Sequence, residues 1–284
     1  LSSAASDVYK RQVVSLFCII EKKEGVTMLA ILSPAKTFSM VEEGRLKSYK
    51  PLQFHEQTLE LMRILQSYSQ EELAKLMKMS LDLAKVNEQR NHTFEDTSVM
   101  QAYEAILYFY GEAYKGLDAQ SLGQEELLYL NDHVRILSGL YGVIRPLECI
   151  KPYRLEMGTK LSNPKGKDLY KYWKEHLTKY FLQLLSETSG DKALIQLASE
   201  EYSKVLDLKV IQKHYPIIEI SFKDYKNGQY KVVGMYAKKA RGQMIRYITT
   251  KQIDQIDELK AFDEDGYRFN EILSTQNHFI FTRE

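Results

Sequence analysis

Three apolar runs in this sequence end in the same way, each on a serine followed by polar or small residues. Ile31-Leu32-Ser33 leads into Pro34-Ala35-Lys36-Thr37, Ile136-Leu137-Ser138 into Gly139-Leu140-Tyr141-Gly142, and Leu197-Ala198-Ser199 into Glu200-Glu201-Tyr202. In open α/β sheets, ligands gather outside the carboxyl ends of the strands. If the three runs are neighbouring parallel strands, Ser33, Lys36, Ser138, Ser199, Glu200 and Tyr202 meet in one polar cleft. The plainer reading has each serine cap the element that follows it.

Two further segments are dense in charge. In Pro152-Tyr153-Arg154-Leu155-Glu156-Met157-Gly158, Arg154 and Glu156 are two apart, so on extended chain they share a face. They form either a surface ion pair or a joined anion-and-base site. The second segment, Lys238 to Arg246, carries four cations within nine residues where a strand is expected to give way to a helix. Free backbone N–H groups and the helix dipole favour phosphate at such a junction, although a solvated basic face would read the same. Leu137-Ser138-Gly139-Leu140-Tyr141-Gly142 also resembles the hairpin of a helix-hairpin-helix, in which glycines let backbone N–H groups approach a DNA phosphate. The spacing between its glycines is one residue too long.

The elements that must position these residues follow from periodicity. Apolar runs predict strands at 28–32, 134–137, 193–197 and 278–282. Pro216–Phe222 and Gln229–Tyr236 flank Lys226-Asn227-Gly228, which reads as a hairpin. Helices are expected around Leu61–Tyr68, after the capping box Ser69/Glu72, over Val99–Tyr110 up to Gly111, from Ser121/Gln124 to about Asn131, and over Asp168–Leu185. No repeat or low-complexity linker divides the chain. The expected fold is one α/β (mixed α+β) domain, with a mixed sheet flanked by helices and a helix-hairpin-helix-like element.

Of the 284 residues, the first 27 read differently from the rest. Ser2 to Gln12 matches an in-frame translation of a transposase-type sequencing adapter, and residues 13–27 resemble translated upstream DNA with a purine-rich stretch before Met28. Residues 1–27 are therefore expected to be a disordered, non-native leader, and 28–284 the domain. The leader holds four basic side chains (Lys10, Arg11, Lys22, Lys23) and three acidic ones (Asp7, Glu21, Glu24). The 39 basic and 38 acidic residues of the whole then leave 35 of each in 28–284. A nucleic-acid surface on a chain with no net charge must be a local patch. Cys149 is the single cysteine after Met28, which fits a reducing cytosol. No run approaches the ~20 apolar residues of a membrane helix, and the six histidines lack metal-ligand spacing. There is no P-loop and no G-x-S-x-G elbow. No cofactor and no metal are expected.

Taken together, Leu32-Ser33-Pro34-Ala35-Lys36-Thr37, Gly111 to Leu117, Arg135 to Pro146, Pro152 to Gly158, Ala198 to Tyr202 and Ala237 to Gly242 resemble the YaaA peroxide stress family. The likeness runs from Met28 to the C-terminus and departs at Tyr110, where the family usually has Asn. The resemblance implies a cytoplasmic protein that protects against peroxide by lowering the free iron available for hydroxyl-radical chemistry. It also implies a helix-hairpin-helix-like element and a positively charged cleft for duplex DNA. On this reading the partner is double-stranded DNA, gripped by its backbone through Lys36, Arg145, Arg154, Lys238, Lys239, Arg241 and the Gly139–Gly142 turn, by a monomer that touches no membrane. The rival is an enzyme acting on a nucleotide or nucleobase, its catalytic candidates being Ser33, Glu156, Ser199, Glu200 and Tyr202. Direct iron binding is a third reading, weakened by the lack of metal spacing.

Overall fold

The computed structural model describes residues 28–39, 52–96 and 102–284. The expectations for the leader, and Val99 of the helix expected over Val99–Tyr110, lie outside the described residues.

A run of five buried residues, Met28–Leu32, forms β1 at the centre of the sheet. A two-residue strand β2 (Thr37–Phe38) follows. Next come α1 (His55–Gln66), α2 (Gln70–Met77) and α3 (Leu81–His92). α2 opens with the expected capping box: Ser69 Oγ accepts the Glu72 N–H while the Glu72 carboxylate accepts the Ser69 N–H.

The helix expected over Val99–Tyr110 is not formed in the described part. That stretch breaks into β3 (Tyr103–Glu104), the single turn α4 (Ala105–Tyr108) and β4 (Phe109–Tyr110). β3 pairs with the later strand Cys149–Ile150 and β4 with β2, so tertiary pairing overrides a helical spacing of apolar residues. Gly111 then begins a helix rather than ending one, leading into α5 (Glu112–Leu117). α6 (Gln124–His133) starts from Gly123, whose N–H is taken by the Glu126 carboxylate; Ser121 closes the preceding turn and does not cap α6.

The remaining core elements are β5 (Val134–Ser138), β6 (Gly142–Ile144), β7 (Cys149–Ile150), α7 (Leu169–Glu187) and β8 (Ala193–Gln196). They are followed by α8 (Glu200–Ser203), α9 (Leu208–Gln212), β9 (Ile217–Lys226), β10 (Gln229–Lys231), α10 (Gly234–Lys251), β11 (Arg268–Phe269) and β12 (His278–Arg283). The main sheet has eight strands in the order β11-β12-β9-β8-β1-β5-β6, with β10 added to β9. β12, β9, β8, β1 and β5 are all parallel; β6, β10 and β11 are antiparallel. The mixed α/β fold expected from the sequence is therefore present.

The hairpin signal is confirmed at its turn: Asn227 and Gly228 both have positive φ (52° and 81°), the type I′ geometry that matches strand twist. Its second strand is shorter than expected, because α10 takes over at Gly234. The expected helix-hairpin-helix is replaced by a strand–turn–strand. Leu137 to Gly142 lies between β5 and β6, and every residue of it is buried.

α7 packs on β6 through Trp173, which is fully buried and donates from its indole to the Gly139 carbonyl at 2.8 Å. Replacing Trp173 by alanine should cost about 3–5 kcal/mol, the range for deleting a buried aromatic side chain. Urea unfolding that shifts by less than ~1 kcal/mol would show that the site collapses around the loss.

Candidate functional site at the sheet's carboxyl edge

Because β8, β1 and β5 are adjacent and parallel, their carboxyl ends deliver Ser199, Ser33 and Ser138 to the same edge. Ser33 Oγ accepts the Ser199 backbone N–H at 2.8 Å and donates to Ser199 Oγ at 3.2 Å. This bond ties the end of β1 to the start of α8. Ser199 holds the N-cap position of α8 without capping it through its side chain. Ser138 pairs with the Tyr153 hydroxyl at 2.7 Å and accepts the Tyr141 N–H. All three serines are engaged with protein partners.

The charged side chains at this edge come from two separate segments. Lys36 Nζ lies 2.8 Å from Glu156 Oε2, and Arg154 Nη2 donates to Glu156 Oε1 at 3.2 Å. The side chains differ in exposure: 61% for Lys36, 25% for Glu156 and 19% for Arg154. The triad carries a net charge of +1. Arg154 has five N–H donors, and Glu156 is its one hydrogen-bond partner among the described residues; its buried Nε has none. An orphaned buried donor costs about 1–3 kcal/mol. Such a group gains most from an arriving anion.

The 153–158 segment is fastened from three sides. Gly158 N–H donates to Glu201 Oε1 at 3.0 Å, and the Tyr202 hydroxyl faces the Met157 backbone N–H. Gly139 sits against the Leu155 carbonyl so closely that an added Cβ would lie 2.3 Å from its oxygen. Tyr114, on α5, donates to the Ser33 carbonyl at 3.0 Å. Burial pushes the phenols of Tyr114, Tyr153 and Tyr202 up, reinforced at Tyr114 by Tyr153 and Tyr202 and at Tyr202 by Tyr153, Glu201 and Glu156, while the Ser138 hydrogen bond opposes it at Tyr153. These hydroxyls are neutral and act as hydrogen-bonding groups, which removes Tyr202 as a base near neutral pH.

Of the residues singled out from sequence, Ser33 is thus bonded to Ser199 and Ser138 to Tyr153, Lys36 and Arg154 both meet Glu156, and the Tyr202 hydroxyl faces the backbone of Met157. Others are elsewhere. Glu200 is 91% exposed and faces Lys204, while its neighbour Glu201 turns inward. Arg145 follows β6, which runs back against β5, so it sits at the opposite end of the sheet and pairs with Asp132 at 2.6 Å. Gly139 and Gly142 cannot present N–H groups to a phosphate from their buried turn; the Cβ of any side chain at Gly142 would meet the Trp173 ring at 2.7 Å.

The basic segment 238–246 lies inside α10, past its first turn. Lys238 is exposed there, and Lys239 is paired with Asp265 at 2.7 Å. Arg241 is mostly buried near Glu219, and burial pushes its guanidinium down against the pull of that carboxylate. Tyr114, Tyr153 and Glu201 were missed from sequence. Tyr114 and Tyr153 stood within motifs read for other residues, and nothing distinguishes Glu201 from Glu200 before the α8 phase is known.

Among the described residues, no group of three or more His, Cys, Asp or Glu side chains is placed to hold a metal ion, and no helix is long and apolar enough to cross a membrane.

The chain is thus a mixed α/β protein with a cluster of serine, tyrosine and charged side chains, among them the Lys36–Glu156–Arg154 triad, at the carboxyl ends of its central parallel strands. It belongs to the YaaA peroxide stress protein family, whose family model, described as peroxide stress protein YaaA, matches residues 28–273. It is 43% identical over 258 residues to a UPF0246 protein of Janthinobacterium sp. (strain Marseille), covering 90% of this chain and 99% of that protein. UPF0246 proteins of Legionella pneumophila (strain Lens) and Shewanella sp. (strain MR-4) share 43% and 44% identity, again over 90% of this chain and 99% of theirs.

Proposed function

We propose that this protein acts in the peroxide stress response by holding backbone phosphates of duplex DNA at the carboxyl-edge cleft, and that it thereby limits iron-dependent oxidative damage. The observation that carries this reading is Arg154: a nearly buried guanidinium with unmet donors, beside the exposed ammonium of Lys36. A phosphate oxygen would complete the guanidinium's hydrogen bonding, and two cations against one carboxylate leave the site attractive to it. Lys238, exposed on α10, has no ion-pair partner among the described residues; Arg241 is mostly buried, and Arg145 and the glycine turn drop out. Contacts confined to phosphates give no sequence preference.

One observation favours a second reading. Glu156 lies within the cation pair, where it opposes a phosphate but would suit a general base acting on a small phosphorylated substrate such as a nucleotide. The variant Glu156→Gln separates the two. If the cleft holds DNA, removing this charge should raise duplex affinity about three- to tenfold, the scale of one charge acting over a few ångströms near the surface. If the cleft is catalytic, Glu156→Gln should abolish peroxide protection in a complementation assay while leaving DNA affinity unchanged.

A further inference from the structure

The β9–β10 hairpin extends past the rest of the sheet. β9 pairs with β8 only as far as Glu219 and with β12 only as far as Asp224, so Tyr225 to Tyr230 pairs with nothing but itself. The projecting part is unusually equipped. Tyr225 and Tyr230 face each other across the hairpin, ring centroids 5.2 Å apart at 64°, with Tyr225 half exposed. The same two strands carry Lys223, Lys226 and Lys231, none with an ion-pair partner among the described residues, and Lys226 Nζ lies over the Tyr236 ring, 5.4 Å from its centroid. The single acid between Ile220 and Arg241 is Asp224, which is buried and held by Arg283 at 2.6 Å and by the Tyr267 hydroxyl. On a chain of net charge +1, this is a concentrated positive patch.

We infer that this hairpin binds unpaired nucleotides of DNA, the Tyr225–Tyr230 pair stacking on a base while the lysines hold the flanking phosphates. The inference deepens, and rests on, the DNA reading given above. The residue types fix the partner. Aromatic faces interleaved with cations are how proteins bind single strands without sequence preference. In an intact duplex the base faces are covered by their neighbours, so rings on a projecting tip find a stacking partner only at a gap, a melted stretch or an end. Cations alone would suit any polyanion; a half-exposed ring beside them selects one with bases.

The test measures anisotropy of a labelled oligothymidine and of a blunt duplex with wild type, Tyr225→Ala/Tyr230→Ala, Tyr225→Phe/Tyr230→Phe and Arg154→Ala. Loss of both rings should lower oligothymidine affinity about tenfold or more, since stacking on one base is worth roughly 5- to 150-fold, and leave duplex affinity within about twofold. The phenylalanine pair should bind both as wild type does, which also controls for folding. Unchanged oligothymidine binding in the alanine pair overturns the inference. So does an equal loss in the phenylalanine pair, or a loss seen only with anionic phosphatidylglycerol vesicles. If the alanine pair behaves as expected but Arg154→Ala binds duplex normally, the hairpin assignment stands and the cleft reading falls. Wild type that binds neither probe overturns both.

Discussion

Replacing Gly242 by alanine is expected to lower the thermal midpoint by about 6–12 °C, the equivalent of ~3 kcal/mol at ~2–4 °C per kcal/mol for a domain of this size. α10 crosses α5 with backbone against backbone. A Cβ at Gly242 would lie 1.7 Å from the Ala113 carbonyl oxygen and 2.9 Å from the Leu117 nitrogen, and one at Gly116 would lie 2.2 Å from the Lys239 carbonyl oxygen. None of these atoms belongs to a side chain that could swing away, so the helices must part. Overpacking costs ~1–3 kcal/mol where side chains absorb it, and the upper end applies where they cannot. Alanine also raises helix propensity by ~1 kcal/mol over glycine, which works against the expected loss and makes it more diagnostic. The crossing matters to the site, because α5 carries Tyr114 onto the Ser33 carbonyl and α10 carries Lys238. A differential scanning trace of Gly242→Ala that overlays wild type would show that the helices do not approach this closely.

The second large effect falls on binding. Arg154→Ala should weaken duplex DNA about 10- to 100-fold, or ~1.4–2.7 kcal/mol, within the range for losing a desolvated charge contact. Its stability should change little, because the guanidinium makes one hydrogen bond to protein among the described residues and its loss leaves Glu156 still paired with Lys36. Lys36→Ala should cost less binding, since a mostly exposed ammonium is already screened by water. Equal losses from the two variants, or none from Arg154→Ala, would remove the guanidinium from its anchoring role.

What was legible in the sequence was whatever local chemistry decides. The stretches 28–32 and 134–137 gave β1 and β5, Asn227-Gly228 gave the hairpin turn, and Ser69 with Glu72 gave the cap of α2. The cleft could be anticipated because three serines end three strands, and parallel pairing brings such ends together. The misreadings came from long-range partners. Tyr103, Ile106 and Tyr110 share a helical spacing, yet Tyr103 and Tyr110 lie in strands set by pairing with residues far along the chain. Gly139 and Gly142 carry the signature of a phosphate-cradling turn, but glycine is needed equally where a backbone or a ring comes close, and here Leu155 and Trp173 do so. Arg145 was separated from the cleft by the reversal of β6, three residues of strand that no periodicity marks.

The central claim, that the carboxyl-edge cleft holds DNA phosphates, is tested most directly by duplex affinity measured from low to moderate salt. Each phosphate neutralised contributes about −0.9 to the slope of log K against log salt. Contacts from Arg154, Lys36 and Lys238 predict a slope of about −3 or steeper, made shallower by about one in Arg154→Ala. A slope near zero, a slope identical in Arg154→Ala, or the absence of any complex at low salt would contradict the account.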